Sequence, residues 1–171
     1  MNKLSIYIQE KLNKTKSSLM LEKLKINSKS KVDKLEYKYH PTTQFELIKI
    51  VNDRIQEEHD NIDFNDIDTS NIKTMIGIFS YHSKLTKIDI SEWDVSNVIS
   101  MAEMFSGSKK LESIGDISDW KINNLDDITA MFYGCKKLTN TGDLNKWDAS
   151  GIINKRNAFT LANENIIPKW A

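Results

Sequence analysis

Cysteine is almost missing: Cys135 stands alone among 171 residues. An intramolecular disulfide is therefore excluded, and a thiolate metal site lacks its other ligands. Net charge is missing as well, since 24 basic and 24 acidic residues cancel, so the bulk charge carries no message about partners. No stretch approaches the roughly 20 apolar residues of a membrane span. The start, MNKLSIYIQEKLNK, is charged within its first three residues and gives no apolar run of the kind a signal peptide needs. A cytoplasmic or virion-associated location, with no membrane partner, is the expectation.

Motifs that carry chemistry are lacking too. There is no G-x-G-x-x-G, Walker loop, G-x-S-x-G or H-E-x-x-H. His40, His59 and His82 stand far apart. Cys135 and His82 fall in turns two repeat units apart, too distant for a nucleophile–base contact. Aspartates recur at Asp68, Asp94 and Asp148, but no twelve-residue calcium loop accompanies them. No catalytic residue, metal ligand or cofactor is expected.

What is present is uneven charge and a repeat. Residues 1–34 hold nine Lys against Glu10, Glu22 and Asp33, a local charge of +6, and the remainder carries −6. Such a basic arm can touch an anionic surface. It lacks the Arg and interleaved aromatics of a nucleic-acid binder, which disfavours that class of partner.

Three segments lie over one another: DTSNIKTMIGIFSYHSKLTKIDISEW, DVSNVISMAEMFSGSKKLESIGDISDW and KINNLDDITAMFYGCKKLTNTGDLNKW, with a damaged fourth copy from DASGIINKRNAF. Ile72, Val98, Leu125 and Ile152 form one column, and Phe79, Phe105, Phe132 and Phe159 another. Met75, Met101 and Ile128 form a third, and Leu85, Leu111 and Leu138 a fourth. The period is 26 residues once and 27 thereafter, the extra residue being Gly115 and its equivalent Gly142. A period of this size means stacked supersecondary units.

Asp or Ser ahead of each apolar stretch suits a helix N-cap. Val98, Met101, Met104 and Phe105 fall at i, i+3, i+6 and i+7, as do Leu125, Ile128, Met131 and Phe132, which predicts helices of about two turns. The alternation around Ile88 and Ile90 predicts a short strand. The fold expected is α/β: a short leucine-rich-type solenoid of stacked helix-plus-short-strand units with a helical N-terminal cap. Its parts are a basic helical leader at 1–31, a capping unit at 32–67 with a helix over about 43–58, and repeats at 68–93, 94–120, 121–147 and 148–171. In the capping unit Thr43 and Glu46 make a capping-box pattern, and Phe45, Ile48, Val51 and Ile55 make an apolar face.

Trp93, Trp120 and Trp147 close the units among polar neighbours. They either wedge between units or line an exposed stripe, and they are the candidate partner-binding residues. In the leader, Leu4, Tyr7, Ile8 and Leu12 share a helical face and are candidate recognition residues.

The run Ser96, Asn97, Val98, Met101, Met104 and Phe105 resembles the motif of the BspA-like leucine-rich repeat family, and the likeness covers residues 62–159. The block KLKINSKSK with YHPTTQFELIKIV is similar to leaders before such repeats in some bacterial and phage reading frames. That family is mostly known from bacterial surface proteins and lipoproteins and is associated with adhesion or host-protein binding. The resemblance implies a protein-binding module without catalytic residues. The alternative is a structural or assembly component of a phage particle or another cytoplasmically assembled complex.

Overall fold

Thr43 opens the one long helix. Its hydroxyl accepts the Glu46 N–H at 3.2 Å, and the Glu46 carboxylate accepts the Thr43 N–H at 3.3 Å. This reciprocal cap satisfies donors that a helix start otherwise leaves unpaired. Helix α1 follows, Gln44–Glu58, burying Leu47 and Val51. Ile48 and Ile55 are half-buried against the same core, whereas Phe45, expected on the apolar face, is 77% exposed. The computed structural model describes residues 37–171, which form one unit. The leader at 1–31, with Leu4, Tyr7, Ile8 and Leu12, lies outside the described residues.

Beyond α1 the chain does not build the expected α/β leucine-rich-type solenoid of helix-plus-strand units. Among the described residues α1 is the single α-helix, and the strands are β1 (Ile62–Asp63) and β2 (Ile88–Asp89), paired in parallel with Ile62 opposite Ile88. Three-residue 3-10 turns occur at Leu144–Lys146, Ala149–Gly151 and Glu164–Ile166. The runs 98–105 and 125–132, expected as helices, are chains of turns.

The backbone shows why. Val98, Met104, Ser106 and Ser108 donate N–H to the carbonyl three residues earlier. The residues between them turn outward. Met101, Glu103, Phe105 and Gly107 donate to Asp127, Thr129, Met131 and Tyr133 at 2.8–2.9 Å. Met75, Gly77, Phe79 and Tyr81 donate likewise to Ser100, Ala102, Met104 and Ser106. Ile128, Ala130, Phe132 and Gly134 reach Asn154, Arg156, Ala158 and Thr160. Every second N–H therefore leaves its own segment, and the i→i−4 ladder of an α-helix cannot form. The apolar spacing of three that suggested a helix is the spacing of the turns.

Aspartate chemistry misleads in the same direction. Asp68, Asp94 and Asp148 accept the N–H of Ser70, Ser96 and Ser150, and Asp89 and Asp116 accept those of Ser91 and Ser118. A carboxylate accepting the N–H two residues on is an Asx turn, which uses the same residue types as a helix N-cap.

Two positions in each segment take left-handed φ: Gly77, Glu103, Ala130 and Asn157, then Tyr81, Gly107, Gly134 and Leu161. A non-glycine residue there costs about 1–2 kcal/mol, so these conformations hold only because the neighbouring segment fixes them. The extra residue is also left-handed, with φ of +84° at Gly115 and +73° at Gly142. Gly142 lies directly on the Asp116 carboxylate and the Ser118 hydroxyl, with no space for a Cβ.

Side chains line up behind this ladder. The rings of Phe79, Phe105 and Phe132 are fully buried and stacked, with centroids 5.6 and 5.4 Å apart and planes within 6°. Phe159 extends the column at 5.4 Å. Each stacked pair adds about 0.5–1.5 kcal/mol beyond its burial. Trp93, Trp120 and Trp147 are buried at 3%, 6% and 4% exposure, so they are core and not an exposed stripe. Trp120 stacks on Trp147, and Trp147 on Trp170, at 6.2 and 6.3 Å. Their indole N–H groups point at backbone: Trp93 to Phe64, Trp147 to Ile117, Trp170 to Leu144. Trp120 alone leaves its buried indole N–H without a partner.

Three outcomes follow. Trp147→Phe orphans the arrangement at Ile117 and should cost about 1 kcal/mol more than Trp120→Phe, which removes a donor already unpaired; urea unfolding measures the difference. Gly142→Ala should destabilise by about 2 kcal/mol or more, while Gly151→Ala, whose nearest contact is an ordinary 3.8 Å, should stay within about 0.5 kcal/mol. Asp60 accepts hydrogen bonds from the Thr86 hydroxyl and the Thr86 and Lys87 N–H groups. Burial opposes its charge, but these bonds outweigh it and hold its pKa at about 2, below the ordinary 3.8. A depressed carboxylate stabilises above its unfolded pKa and loses that contribution as pH falls through the folded one. Melting temperature should therefore drop between about pH 4 and 2, and Asp60→Asn should flatten that drop.

Candidate functional site

The tryptophan column has one break. Trp93 packs on Phe79 with centroids 5.8 Å apart, and the stacked indoles resume only at Trp120 and Trp147. Between Trp93 and Trp120 lies a cleft of 440 Å³ lined by Ser91, Glu92, Trp93, Asp94, Asp116, Asp119, Trp120 and Lys121. The break falls where the 26-residue spacing gives way to 27. The segment ending at Trp93 has no counterpart of Gly115, and the segment ending at Trp120 has it. By the pattern of Trp93 and Trp147, the Trp120 indole should reach the carbonyl of Ile90; it does not.

Four carboxylates and one ammonium face this space, a surplus of negative charge. Asp116 is committed to its turn, where hydrogen bonds from the Ser118 hydroxyl and N–H hold its pKa below the ordinary value. Asp94 holds the Ser96 N–H. Glu92 and Asp119 make no side-chain hydrogen bond among the described residues and are the groups open to a ligand. Trp93 and Trp120 also line the cleft, with only 3% and 6% of their surface exposed. A cleft with this surplus of carboxylate suits a basic side chain, lysine or arginine.

Of the sequence-predicted residues, Trp93 and Trp120 come together at this cleft. Trp147 does not; it is sealed between Trp120 and Trp170. Asp94, Asp116 and Asp119 are visible in the sequence as part of recurring acidic columns, but their meeting with Glu92 in one cleft is not, because Glu92 and Asp94 are separated from Asp116 and Asp119 by a full repeat. The 26-to-27 change in period was the signal that marked the place.

Cys135 is fully buried, its thiol donates to the Phe105 carbonyl at 3.0 Å, and burial pushes its pKa to about 12. His82 is half-buried, and burial lowers its pKa. His40 lies 3.4 Å from the Asp68 carboxylate at the surface. Among the described residues no three His, Cys, Asp or Glu side chains converge as a metal site, and no helix is long and apolar enough to cross a membrane.

No curated protein and no solved structure matches the chain. A family model does, over residues 45–170, which takes in α1 from its second residue and the repeat segments through Trp170. The chain belongs to the family described as Mycoplasma protein of unknown function, DUF285.

Proposed function

We propose that this protein is a binding module without catalytic activity, and that it holds a protein partner by seating a basic side chain in the cleft between Trp93 and Trp120. The observation that carries the reading is the cleft itself: 440 Å³, lined by four carboxylate residues between Trp93 and Trp120, with Glu92 and Asp119 unengaged among the described residues. The other aspartates of the segments support it, since Asp68, Asp89 and Asp148 are each committed to a backbone N–H of their own turn. The resemblance of residues 96–105 to BspA-like repeats, a family associated with host-protein binding, favours the same reading. A cytoplasmic or virion-associated setting is part of the proposal.

The test uses a variant that keeps every backbone cap. Glu92→Gln with Asp119→Asn removes two charges and leaves the Asx turns of Asp94 and Asp116 intact. Partner retained from a lysate of the source organism by the parent protein should fall about tenfold with this variant, the loss expected of two charge-assisted contacts, while thermal unfolding stays unchanged. Retention that is equal for parent and variant would sink the reading, as would a retained partner that is nucleic acid.

A further inference from the structure

The ladder of outward N–H groups ends at the fourth segment. Lys155, Asn157, Phe159 and Leu161 occupy the positions that donate in the three segments before it, and among the described residues none of their N–H groups has an acceptor. Lys155, Asn157 and Leu161 are exposed, and Phe159 is half-buried where Phe79, Phe105 and Phe132 are fully buried. We propose that this edge is a second binding surface, one that takes an acidic segment of a protein partner.

Three observations select that occupant. Across 155–161 the edge presents donors only, because the peptide units of 75–81, 101–107 and 128–134 all point their N–H groups toward the following segment; just before them the Ile153 carbonyl stands where Lys73, Ile99 and Asp126 accept from the next segment. An ordinary β-strand offers an N–H beside each carbonyl, so it sets donor against donor here, whereas carboxylates only accept. A second copy of the chain fits this edge less well in either sense. Two such edges oppose N–H to N–H. A head-to-tail copy would have to offer the carbonyls of the opposite edge, where the Gln44 amide already donates to the Ile76 carbonyl at 2.6 Å.

Charge completes the selection. Residues 152–171 hold Lys155, Arg156 and Lys169 against Glu164 alone, in a chain whose residues 35–171 carry −6. The Lys155 ammonium is held at this end by the Trp170 carbonyl at 3.0 Å, and Arg156 is exposed with no partner among the described residues. Hydrogen bonds from N–H and guanidinium to carboxylate are charge-assisted and roughly twice as strong as neutral ones. Lys155 replaces the Met75, Met101 and Ile128 of earlier segments, so the basic character arises where the ladder stops.

The test applies a fluorescein-labelled peptide Glu-Leu-Glu-Phe-Glu-Leu-Glu, and a counterpart with Lys for Glu, to the full chain. The acidic peptide should bind and the basic one should not. Arg156→Glu should weaken binding about tenfold without changing the melting temperature. Amide exchange at Lys155, Asn157, Phe159 and Leu161 should slow in the complex, which surface attraction alone would not produce. Equal binding of both peptides, or binding that leaves those four amides unprotected, overturns the proposal, as does no binding of the acidic peptide. The Glu92→Gln, Asp119→Asn variant should bind the acidic peptide as the parent does, so failure here and failure of the cleft reading are told apart.

Discussion

Everything in the repeat region depends on how the backbone divides its donors. In 101–108, alternate N–H groups close turns within the segment, and the ones between cross to the next segment. Neither half suffices alone. The turns are too short to persist in water without packing, and the crossing bonds need the turns to aim them. Left-handed residues without glycine's freedom, such as Glu103 and Ala130, are tolerated only under this mutual constraint. The buried apolar columns then follow, because equivalent residues are held in register at the height of one segment.

The same rule explains where the structure departs from uniformity. A column at constant period is continuous, as the phenylalanines show. The indole column is interrupted where an inserted glycine appears in one segment and not in its predecessor. The mismatch leaves the Trp120 indole N–H unpaired and opens the space beside it. At the other end, the alternate N–H groups that the earlier segments direct forward have nothing to receive them in the last segment. The two candidate surfaces are thus the two exceptions to a single regularity.

Much of the architecture was legible in side chains and little of it in secondary structure. The columns through Val98, Met101 and Phe105 stood out because burial selects residue type at each position. The glycine at 115 stood out because it changes the count. The capping box at Thr43 was readable because its two partners are three residues apart. The turns were not readable as turns. Asp-x-Ser fits an Asx turn and a helix cap equally, and an apolar spacing of three serves both. Nothing in the identity of Glu103 or Ala130 announces a left-handed backbone, which the neighbouring segment imposes. The tryptophans were ambiguous because their polar sequence neighbours, Glu92 and Asp119, point to the rim of the cleft while the indoles point inward.

Cys135 gives this construction a built-in reporter. Its sulfur lies against the Phe105 carbonyl of the preceding segment, and it is the chain's one thiol. The following segment covers it too, Asn163 donating its N–H to the Cys135 carbonyl, so a reagent reaches the buried thiol only when a neighbouring layer parts. The rate at which the native protein is alkylated is therefore a clock for the separation of adjacent layers, and comparing it with the rate of global unfolding would tell whether the layers open singly or all at once.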